Sequence, residues 1–288
     1  MYTIRPAKPE DRSDLAAFTE NTFEWGDYIA DRFDDWLAAP DGRLLVAEHA
    51  GEAVGVARAA LLSPSELWLQ GSRVHPDHRG NRLSQRLSDE LTNWGAGKGA
   101  EVVRLYVEDW NQAPQHLVAA SGYRRVSRWL FGQRAIINQD PQPTGNGGRR
   151  VPGDERLRPA PKAEAEPAFM AWSTSDIGRA ARGLSARNWT WKLLTIDDLS
   201  AAAPDGMFLE SPSGWALAER VDNRLAVFWL MANLEDSYRL VRAVLDRAIE
   251  TAATELEFWI PDTEPLQTAL TRIGCDLEPG SIWERSLR

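Results

Sequence analysis

Residues 72 to 84 place an extended segment directly before a proline-marked turn and a helix. The segment reads Ser-Arg-Val-His-Pro-Asp-His-Arg-Gly-Asn-Arg-Leu-Ser. The helix is predicted over residues 80 to 97, because Leu83, Leu87, Leu91 and Trp94 recur at helical spacing. Strands that alternate with helices in this way, with few long loops between them, are typical of a mixed α/β fold. The junction at residues 72 to 84 is therefore the feature that most constrains the fold.

The start of this helix is predicted to bind an anionic group. The first N–H groups of a helix have no partner within it and carry partial positive charge, which suits a phosphate or diphosphate. Gly80 lets the backbone approach the anion closely, and Arg79 and Arg82 add charge-assisted donors. The segment has neither the Lys-Ser/Thr of a Walker loop nor the three spaced glycines of a dinucleotide fingerprint. The sequence thus predicts a diphosphate site of another kind.

The wider pattern is Val74-x-Pro76-x-x-Arg79-Gly80, followed by a strand at 102 to 107, then Asn111 and Gly122-Tyr123. Over residues 1 to 138 it resembles the GNAT superfamily of N-acetyltransferases, whose signature Arg/Gln-x-x-Gly-x-Gly/Ala lies at a strand-to-helix junction. The resemblance implies the GNAT fold, a mixed sheet of α+β type, with acetyl-CoA as cosubstrate. Arg82 and Ser84 stand where the signature has its second Gly and its Gly/Ala. The implied cofactor-binding residues are Val74, Arg79, Gly80, Asn81, Arg82, Leu83, Ser84 and Asn111.

Glu66 is the predicted catalytic base. The resemblance implies direct acetyl transfer to an amine, which must first lose its proton. Several family members carry a glutamate base on the strand before the cofactor loop, and Glu66 lies there, thirteen residues before Arg79. An ordinary strand glutamate is the alternative. A strand alternation predicts two faces, with Glu66, Trp68, Gln70 and Ser72 on one and Leu67, Leu69 and Gly71 on the other. Val118 stands where the family often has a tyrosine acid.

The acceptor site is predicted from an aromatic and acidic segment. Phe23, Trp25 and Tyr28 flank Gly26 between two predicted helices, amid several Asp and Glu residues. Aromatic rings with nearby acids favour an ammonium group, so these three residues, with Trp68 and Gln70, form the predicted acceptor-binding set. A packed helix pair with solvated acids is the alternative.

Composition bounds the partners. The net charge of -9 disfavours a nucleic-acid partner and suits a small-molecule or protein amine. The single cysteine, Cys275, suits a reducing, cytoplasmic setting, and no apolar run reaches membrane length. His75 and His78 lack the further ligands of a zinc site, so no metal is predicted.

The chain is long enough for two domains, and its second half repeats the end of the first. The predicted organisation is a GNAT domain at 1–138, a Pro/Gly-rich linker at 139–167 and a degenerate GNAT-like domain at 168–288. Residues 103 to 107 correspond to 256 to 260, and at that offset Ala232 and Asn233 replace Arg79 and Gly80. Two unrelated α/β domains are the alternative.

Two other functions stay open beside an N-acetyltransferase. One is a regulatory protein that binds CoA without turnover. The other is a scaffold whose Trp-rich second half forms an interaction surface, with Trp172, Trp189, Trp191, Trp215, Trp229, Trp259 and Trp283 as its residues.

Overall fold

The computed structural model describes residues 1–20, 22, 26–137 and 155–288. Residues 139–154 of the predicted linker lie outside the described residues, as do Phe23 and Trp25. The chain divides into two compact units. Unit 1 comprises Met1–Tyr106, His116–Arg124 and Trp283–Arg288, and unit 2 comprises Val107–Gln115 and Arg125–Ile282. The last six residues of the chain therefore belong with its first part.

The sequence of the first half predicts a strand, two helices, three strands, a helix, a strand, a helix and closing strands, and the structure has this order. The elements are β1 (Tyr2–Pro6), α1 (Asp11–Thr19), α2 (Ile29–Ala38), β2 (Gly42–His49), β3 (Glu52–Ser63), β4 (Glu66–Val74), α3 (Leu83–Gly97), β5 (Val102–Glu108), α4 (Gln112–Ala120) and β6 (Arg124–Ala135). The helix α3 begins at Leu83 and not at residue 80.

The second part has a similar sequence of elements. They are β7 (Arg158–Pro159), α5 (Ala165–Thr174), α6 (Asp176–Ala181), β8 (Leu184–Arg187), β9 (Thr190–Leu193), α7 (Ile196–Ala202), β10 (Phe208–Ser211), β11 (Gly214–Val221), β12 (Arg224–Ala232), α8 (Ser237–Glu250), β13 (Glu255–Pro261), α9 (Glu264–Arg272) and β14 (Asp276–Ser286). The order β3–β4–α3–β5–α4–β6 recurs as β11–β12–α8–β13–α9–β14, so the predicted internal repeat is present.

Unit 1 is built on a mixed sheet in the order β1, β2, β3, β4, β5 and the end of β14. The first four strands pair antiparallel with their neighbours, whereas β4 and β5 run parallel. Alternation along β2 sends Leu45 into a core beneath α3 and Leu44 into a second core beneath α2. The sheet is thus covered on both faces, as its apolar strands require.

The helix α3 fits closely against β4. Leu83, Leu87 and Leu91 recur on its buried face and pack on Leu67. A Cβ atom on Gly95 would overlap the side chain of Leu67, so glycine is needed for this approach. The packing fixes the start of α3 against the strand that leads into it.

Unit 2 contains strands in the order β14, β6, β13, β12, β11, β10 and β7, with β12 and β13 parallel. The strands β8 and β9 form a separate hairpin. Among the described residues, no helix combines the length and the apolar character needed to cross a bilayer.

The tryptophans of the second half do not form a surface. Trp172, Trp191, Trp229 and Trp259 are buried, and Trp191 packs edge to face on Trp259 with ring centroids 5.7 Å apart. Trp215 and Trp283 are half-buried, and only Trp189 of the seven is exposed. The predicted Trp-rich interaction surface is wrong, because these rings fill the interior between strands and helices.

Candidate active site

The junction between β4 and α3 is an exposed turn held by short-range hydrogen bonds. After Val74 the chain makes a single 3-10 turn over Pro76–His78 and then passes through residues 79 to 82. The Asn81 side-chain amide donates to the carbonyl oxygens of His78 and Arg79, at 3.0 and 3.3 Å. The Tyr2 hydroxyl and His78 Nδ1 share a hydrogen bond of 3.1 Å. The Asn81 side chain therefore stabilises the turn.

Two residues of the junction have left-handed backbone conformations. Gly80 has φ of +81°, and a Cβ atom placed on it would face open space. Arg82 has φ of 55° and ψ of 26° and is the residue directly before α3. This conformation costs an L-residue about 1–2 kcal/mol. Arg82 thus keeps the backbone shape that a glycine adopts freely, although its side chain departs from the family signature.

The first turn of α3 presents unpaired donors to this loop. The N–H groups of Leu83, Ser84 and Gln85 have no acceptor inside the helix, because the first intrahelical bond is donated by Arg86 to the carbonyl of Arg82 at 3.0 Å. The first turn carries no acidic residue. Arg79 and Arg82 are exposed beside it. Since α3 begins later than predicted, the free donors lie at residues 83 to 85.

The predicted cofactor residues of this junction lie on one continuous segment. Val74 ends β4, residues 79 to 82 form the loop, and Leu83 and Ser84 open α3. The Leu83 side chain is buried in the core, so only its backbone faces the loop. Asn111 precedes α4 and belongs to unit 2, where its N–H donates to the carbonyl of Glu108 at 3.1 Å. Its cofactor contact stays a prediction.

The parallel pairing of β4 with β5 is short. It joins Glu66–Trp68 to Val102–Arg104, and no further β4–β5 pair is present among the described residues. Both strands nevertheless continue within unit 1, β4 to Val74 and β5 to Tyr106. The backbone of β4 beyond Trp68 therefore keeps hydrogen-bonding groups that β5 does not use.

A β-bulge at Gly71 changes the faces of β4. Between the pairs Arg58–Gln70 and Val56–Arg73, β3 advances two residues and β4 three. Gly71 has φ of +66°, and a Cβ there would meet Trp36 and Ile29 in the core beneath α2. Leu67 and Leu69 pack in the other core, beneath α3. The predicted grouping of Gly71 with these leucines is wrong, because the extra residue of a bulge reverses the alternation.

The same bulge moves Ser72. Its hydroxyl lies 2.8 Å from that of Ser84 at the start of α3. Arg73, the next residue, donates instead to Asp27 before α2 through Nε at 2.6 Å. Ser72 therefore lies on the α3 side of the sheet. The alternation had predicted that Ser72 and Trp68 share a face, and that prediction is wrong.

The Glu66 carboxylate is buried and already hydrogen-bonded. It accepts from Arg104 Nη1 at 2.5 Å and from the Ser63 hydroxyl at 2.9 Å. Arg104, itself buried, also donates through Nε to Glu284 at 2.7 Å. Val74 lies eight residue steps along β4 from Glu66, about 26 Å at 3.3 Å per step. Sequence reasoning missed Arg104 and Glu284; the single charge inside the run from Val102 to Val107 was the available signal.

The predicted acceptor residues divide into two groups. Tyr28 is half-buried, packs edge to face on Trp36 with centroids 5.8 Å apart, and lies beneath the Arg73 guanidinium at 5.4 Å. Gln70 is half-exposed on β4. Trp68 is buried, with 1% of its surface exposed, so its ring does not line an open channel. The acceptor contact of Trp68 stays a prediction.

Tyr123 is part of the core beneath α3. Burial raises the pKa of its hydroxyl, and Arg285, whose guanidinium lies 4.9 Å from the ring centroid, opposes that shift. The hydroxyl therefore stays protonated at neutral pH. In the part of the chain that the structure describes, no group of three or more His, Cys, Asp or Glu side chains is arranged to hold a metal ion.

The second strand-to-helix junction, between β12 and α8, is shorter. Ala232 ends β12, a 3-10 turn covers Leu234–Asp236, and α8 begins at Ser237. The constant offset predicted that Ala232 and Asn233 occupy the positions of Arg79 and Gly80. In the structure they do not, because Ala232 ends the strand as Val74 does. Asp236 makes no capping bond to α8 and pairs instead with Arg239 at 3.1 Å.

Residues 12–123 match the model of the acetyltransferase (GNAT) family. This part of the chain is a GNAT acetyltransferase domain. The match covers 112 of the 288 residues, so the N-acetyltransferase assignment applies to this domain, and acetyl-CoA is the cosubstrate that its family uses. No curated protein sequence matches the chain significantly.

Solved structures extend the likeness of fold to the whole chain. A GCN5-related N-acetyltransferase from Sphaerobacter thermophilus has 15% identity and a TM-score of 0.68, over 100% of this chain and 96% of that one. A putative acetyltransferase from Thermoplasma acidophilum has 16% identity and a TM-score of 0.62, over 99% of each chain. A tandem GNAT protein from the clavulanic acid biosynthesis pathway has 13% identity and a TM-score of 0.61, over 99% of this chain and 98% of that one. The likeness of fold thus extends over nearly the whole of each of these chains.

Proposed function

We propose that the GNAT domain transfers the acetyl group of acetyl-CoA to a primary amine, on a small molecule or a protein, by direct attack. The neutral amine nitrogen forms a bond to the thioester carbonyl carbon, the carbon–sulfur bond breaks, and CoA leaves as a thiolate that takes up a proton. The amine loses one proton in the process. The observation that carries the proposal is the exposed loop at residues 79 to 82, which opens onto the unpaired amides of α3.

The residues of this junction have the chemistry to hold the diphosphate of acetyl-CoA. Gly80 and Arg82 have left-handed backbone conformations in the loop that precedes α3. The backbone N–H groups of residues 83 to 85 can donate hydrogen bonds to the diphosphate. The exposed guanidinium groups of Arg79 and Arg82 add charge-assisted hydrogen bonds. The bound cosubstrate supplies an activated acetyl thioester. The side of β4 beyond Trp68 that β5 leaves unpaired is a further surface for it.

Glu66 is the proposed base. It lies on β4 and its carboxylate is shielded from water, so its interactions are strong. Because the carboxylate also accepts hydrogen bonds from Arg104 and Ser63, Glu66 has a structural role as well. Turnover by Glu66→Gln separates the two roles, since glutamine keeps the shape and removes the proton acceptor. We expect a roughly 10²-fold fall in kcat near neutral pH with acetyl-CoA affinity retained. Equal rates for variant and parent would show that water or another group accepts the proton.

The cofactor site is tested by a matched pair of substitutions at Gly80. Both aspartate and asparagine tolerate a left-handed backbone, but only aspartate adds a negative charge. Acetyl-CoA at one hundred times its dissociation constant should stabilise the parent by about 2.7 kcal/mol. Gly80→Asp should remove this stabilisation, and Gly80→Asn should keep most of it. If the two variants respond alike, the diphosphate does not bind at this loop.

Release of free CoA in the presence of an amine panel tests turnover itself. Thiol release that depends on the amine supports the proposed reaction. Binding of acetyl-CoA without release would favour the alternative of a CoA-binding regulatory protein. The burial of these side chains argues against the alternative of a Trp-rich scaffold, because six of the seven tryptophans are buried or half-buried.

A further inference from the structure

Among the residues that the structure describes, Arg58 is a cation without a partner anion. It lies on β3, is half-buried, and its Nε atom is fully buried without a hydrogen bond. Within the described ranges, no carboxylate or carbonyl oxygen accepts a hydrogen bond from its guanidinium and no acid forms an ion pair with it. Its guanidinium lies over the ring of Trp36, whose centroid is 5.4 Å from Cζ. A buried charge is normally paired, so this arrangement requires an explanation.

The electrostatic surroundings of Arg58 are unfavourable for the free protein. Burial lowers the pKa of Arg58, and the neighbouring positive charge of Arg32 lowers it further. The cation–π contact with Trp36 compensates only part of the hydration free energy that the guanidinium loses on burial. An oxyanion beside the guanidinium would restore the missing interactions. Within the described part of the chain, the guanidinium therefore lacks an anionic partner.

The space around the guanidinium depends on a glycine. A Cβ atom placed on Gly42, at the start of β2, would lie 3.1 Å from Nη2 of Arg58. The φ angle of Gly42 is not left-handed, so the backbone conformation does not require glycine there. The small residue at position 42 instead leaves room for the planar head of Arg58.

Arg58 lies beside Gln70 on β4, which belongs to the predicted acceptor-binding set. It is the cross-strand partner of Gln70, and paired residues on neighbouring strands share a face. The bulge residue Gly71 follows, and its Cβ position faces the same Trp36 ring that Arg58 covers. This stretch also lies beyond the short β4–β5 pairing. Arg58 and Gln70 together therefore present donors next to the unpaired stretch of β4.

We propose that Arg58 binds a carboxylate of the acceptor, so that the substrate is an amine that also carries a carboxylate. This inference rests on the proposed acetyl transfer, because it names the substrate class of that site. The planar guanidinium matches a carboxylate with two parallel N–H donors, and the Gln70 amide is a further donor. The Trp36 ring beneath Arg58 holds the guanidinium plane in place.

Matched acceptor pairs test the proposal. Each amino acid is compared with its decarboxylated amine, L-lysine with cadaverine and L-phenylalanine with phenethylamine, and O-phosphoethanolamine with ethanolamine covers a phosphate as the oxyanion. The variants are Arg58→Met, Arg58→Lys and Gly42→Ala in the full chain. Arg43→Met is the control, because Arg43 is adjacent to Leu44 on β2 and alternates to the other face. The readouts are kcat/KM by CoA release, and the thermal shift caused by each compound without acetyl-CoA.

The parent should prefer the carboxylated member of at least one pair, and Arg58→Met should reduce that preference by roughly 10- to 100-fold. Arg58→Lys should retain only part of it, because lysine lacks the bidentate donors. Gly42→Ala should reduce it without removing the charge, and Arg43→Met should leave it intact. Without any ligand, Arg58→Met should also raise the melting temperature, since it removes an unpaired buried charge.

The outcomes separate the inference from the proposed function. A carboxylate-induced thermal shift that depends on Arg58, with no CoA release from any amine, would sink the acetyl transfer to amines and keep the anion site. A preference that Arg58→Met does not change, or no Arg58-dependent shift across the panel, overturns the inference. A shift given only by the phosphorylated amine overturns the carboxylate assignment.

Discussion

The two strand-to-helix junctions of the chain share a design and differ in length. Each strand end is followed by one residue and then a 3-10 turn, Pro76–His78 in the first and Leu234–Asp236 in the second. After the turn the first junction inserts residues 79 to 82, whereas α8 begins at once. The second junction lacks the loop that carries Gly80 and Arg82. A helix start alone is therefore not what distinguishes the two halves; the loop before it is.

A second comparison concerns the ion pair on each parallel strand pair. Glu66 pairs in register with Val102, and Arg104 stands two residues further along β5. In unit 2, Arg224 pairs in register with Glu255, and Glu257 stands two residues further along β13. Arg224 Nη1 lies 3.1 Å from the Glu257 carboxylate.

The two ion pairs occupy equivalent places with the charges reversed. An acid on the first strand and a base on the second in unit 1 become a base and an acid in unit 2. Because either polarity ties the two strands together, the pair contributes to strand pairing in both units. Glu66 therefore has a structural task that does not depend on catalysis.

The largest expected effect comes from making the first junction as short as the second. Deleting Arg79–Arg82 should weaken acetyl-CoA binding by at least about 10³-fold, or about 4 kcal/mol, because the left-handed loop and both guanidinium groups are lost. Titration calorimetry checks this, and the parent should bind one acetyl-CoA per chain. Two sites per chain would contradict the inactive second junction.

The ion pairs give the next largest effect. Glu66→Ala should lower the free energy of unfolding by about 3 kcal/mol, because it leaves the buried Arg104 with one carboxylate fewer. Glu257→Ala should cost less, since 43% of the Arg224 side chain is exposed and water can solvate it. Urea unfolding of both variants measures the difference. A larger loss at Glu257 than at Glu66 would show that burial does not set these contributions.

The pH dependence of stability should expose Glu257. Burial raises the pKa of Glu257 above its usual 4.5, although Arg224 opposes the shift. The folded state then holds this proton more tightly than the unfolded state, so its contribution to stability is greatest below pH 4.5 and is lost as pH rises through the raised pKa. Glu257→Gln should flatten that part of the curve. Unfolding free energies of parent and variant from pH 4 to 7 provide the measurement, and parallel curves would refute the shift.

The smallest expected effect is a null result at the second junction. Glu235→Gln with Asp236→Asn removes both carboxylates before α8 but restores no loop. Acetyl-CoA stoichiometry by calorimetry should therefore stay at one per chain. A second binding event would mean that charge, and not the missing loop, had closed this site.

The local features of the chain were predictable from the sequence. The order of helices and strands along the first half, the stripe of Leu83, Leu87 and Leu91 on α3, and the internal repeat all follow from spacing. The loop at Gly80 was also visible, because glycine and arginine before an apolar helix stripe indicate an anion site. These features depend on neighbours within a few residues.

Other parts of the site could not be read from spacing. The repeat alignment failed at Ala232, because a deletion inside a loop leaves the periodicity of the flanking elements unchanged. The face of Ser72 was mispredicted, since a bulge adds one residue that the alternation does not record. No role was predicted for Arg58 from the sequence. Its lack of an anionic partner among the described residues is apparent only in the tertiary structure.

The sequence by itself thus determined the GNAT domain, the order of its elements and the place of the loop that contains Gly80. Only the tertiary structure decided that Glu66 is held by Arg104 and that Arg104 is shared with Glu284, 180 residues away in the chain. It also decided that Trp68 is buried and that Arg58 has no anionic partner among the residues described. The physical reason is one of range. Helix periodicity and turn chemistry are set by adjacent residues, whereas burial and charge pairing depend on which distant segments the fold brings together.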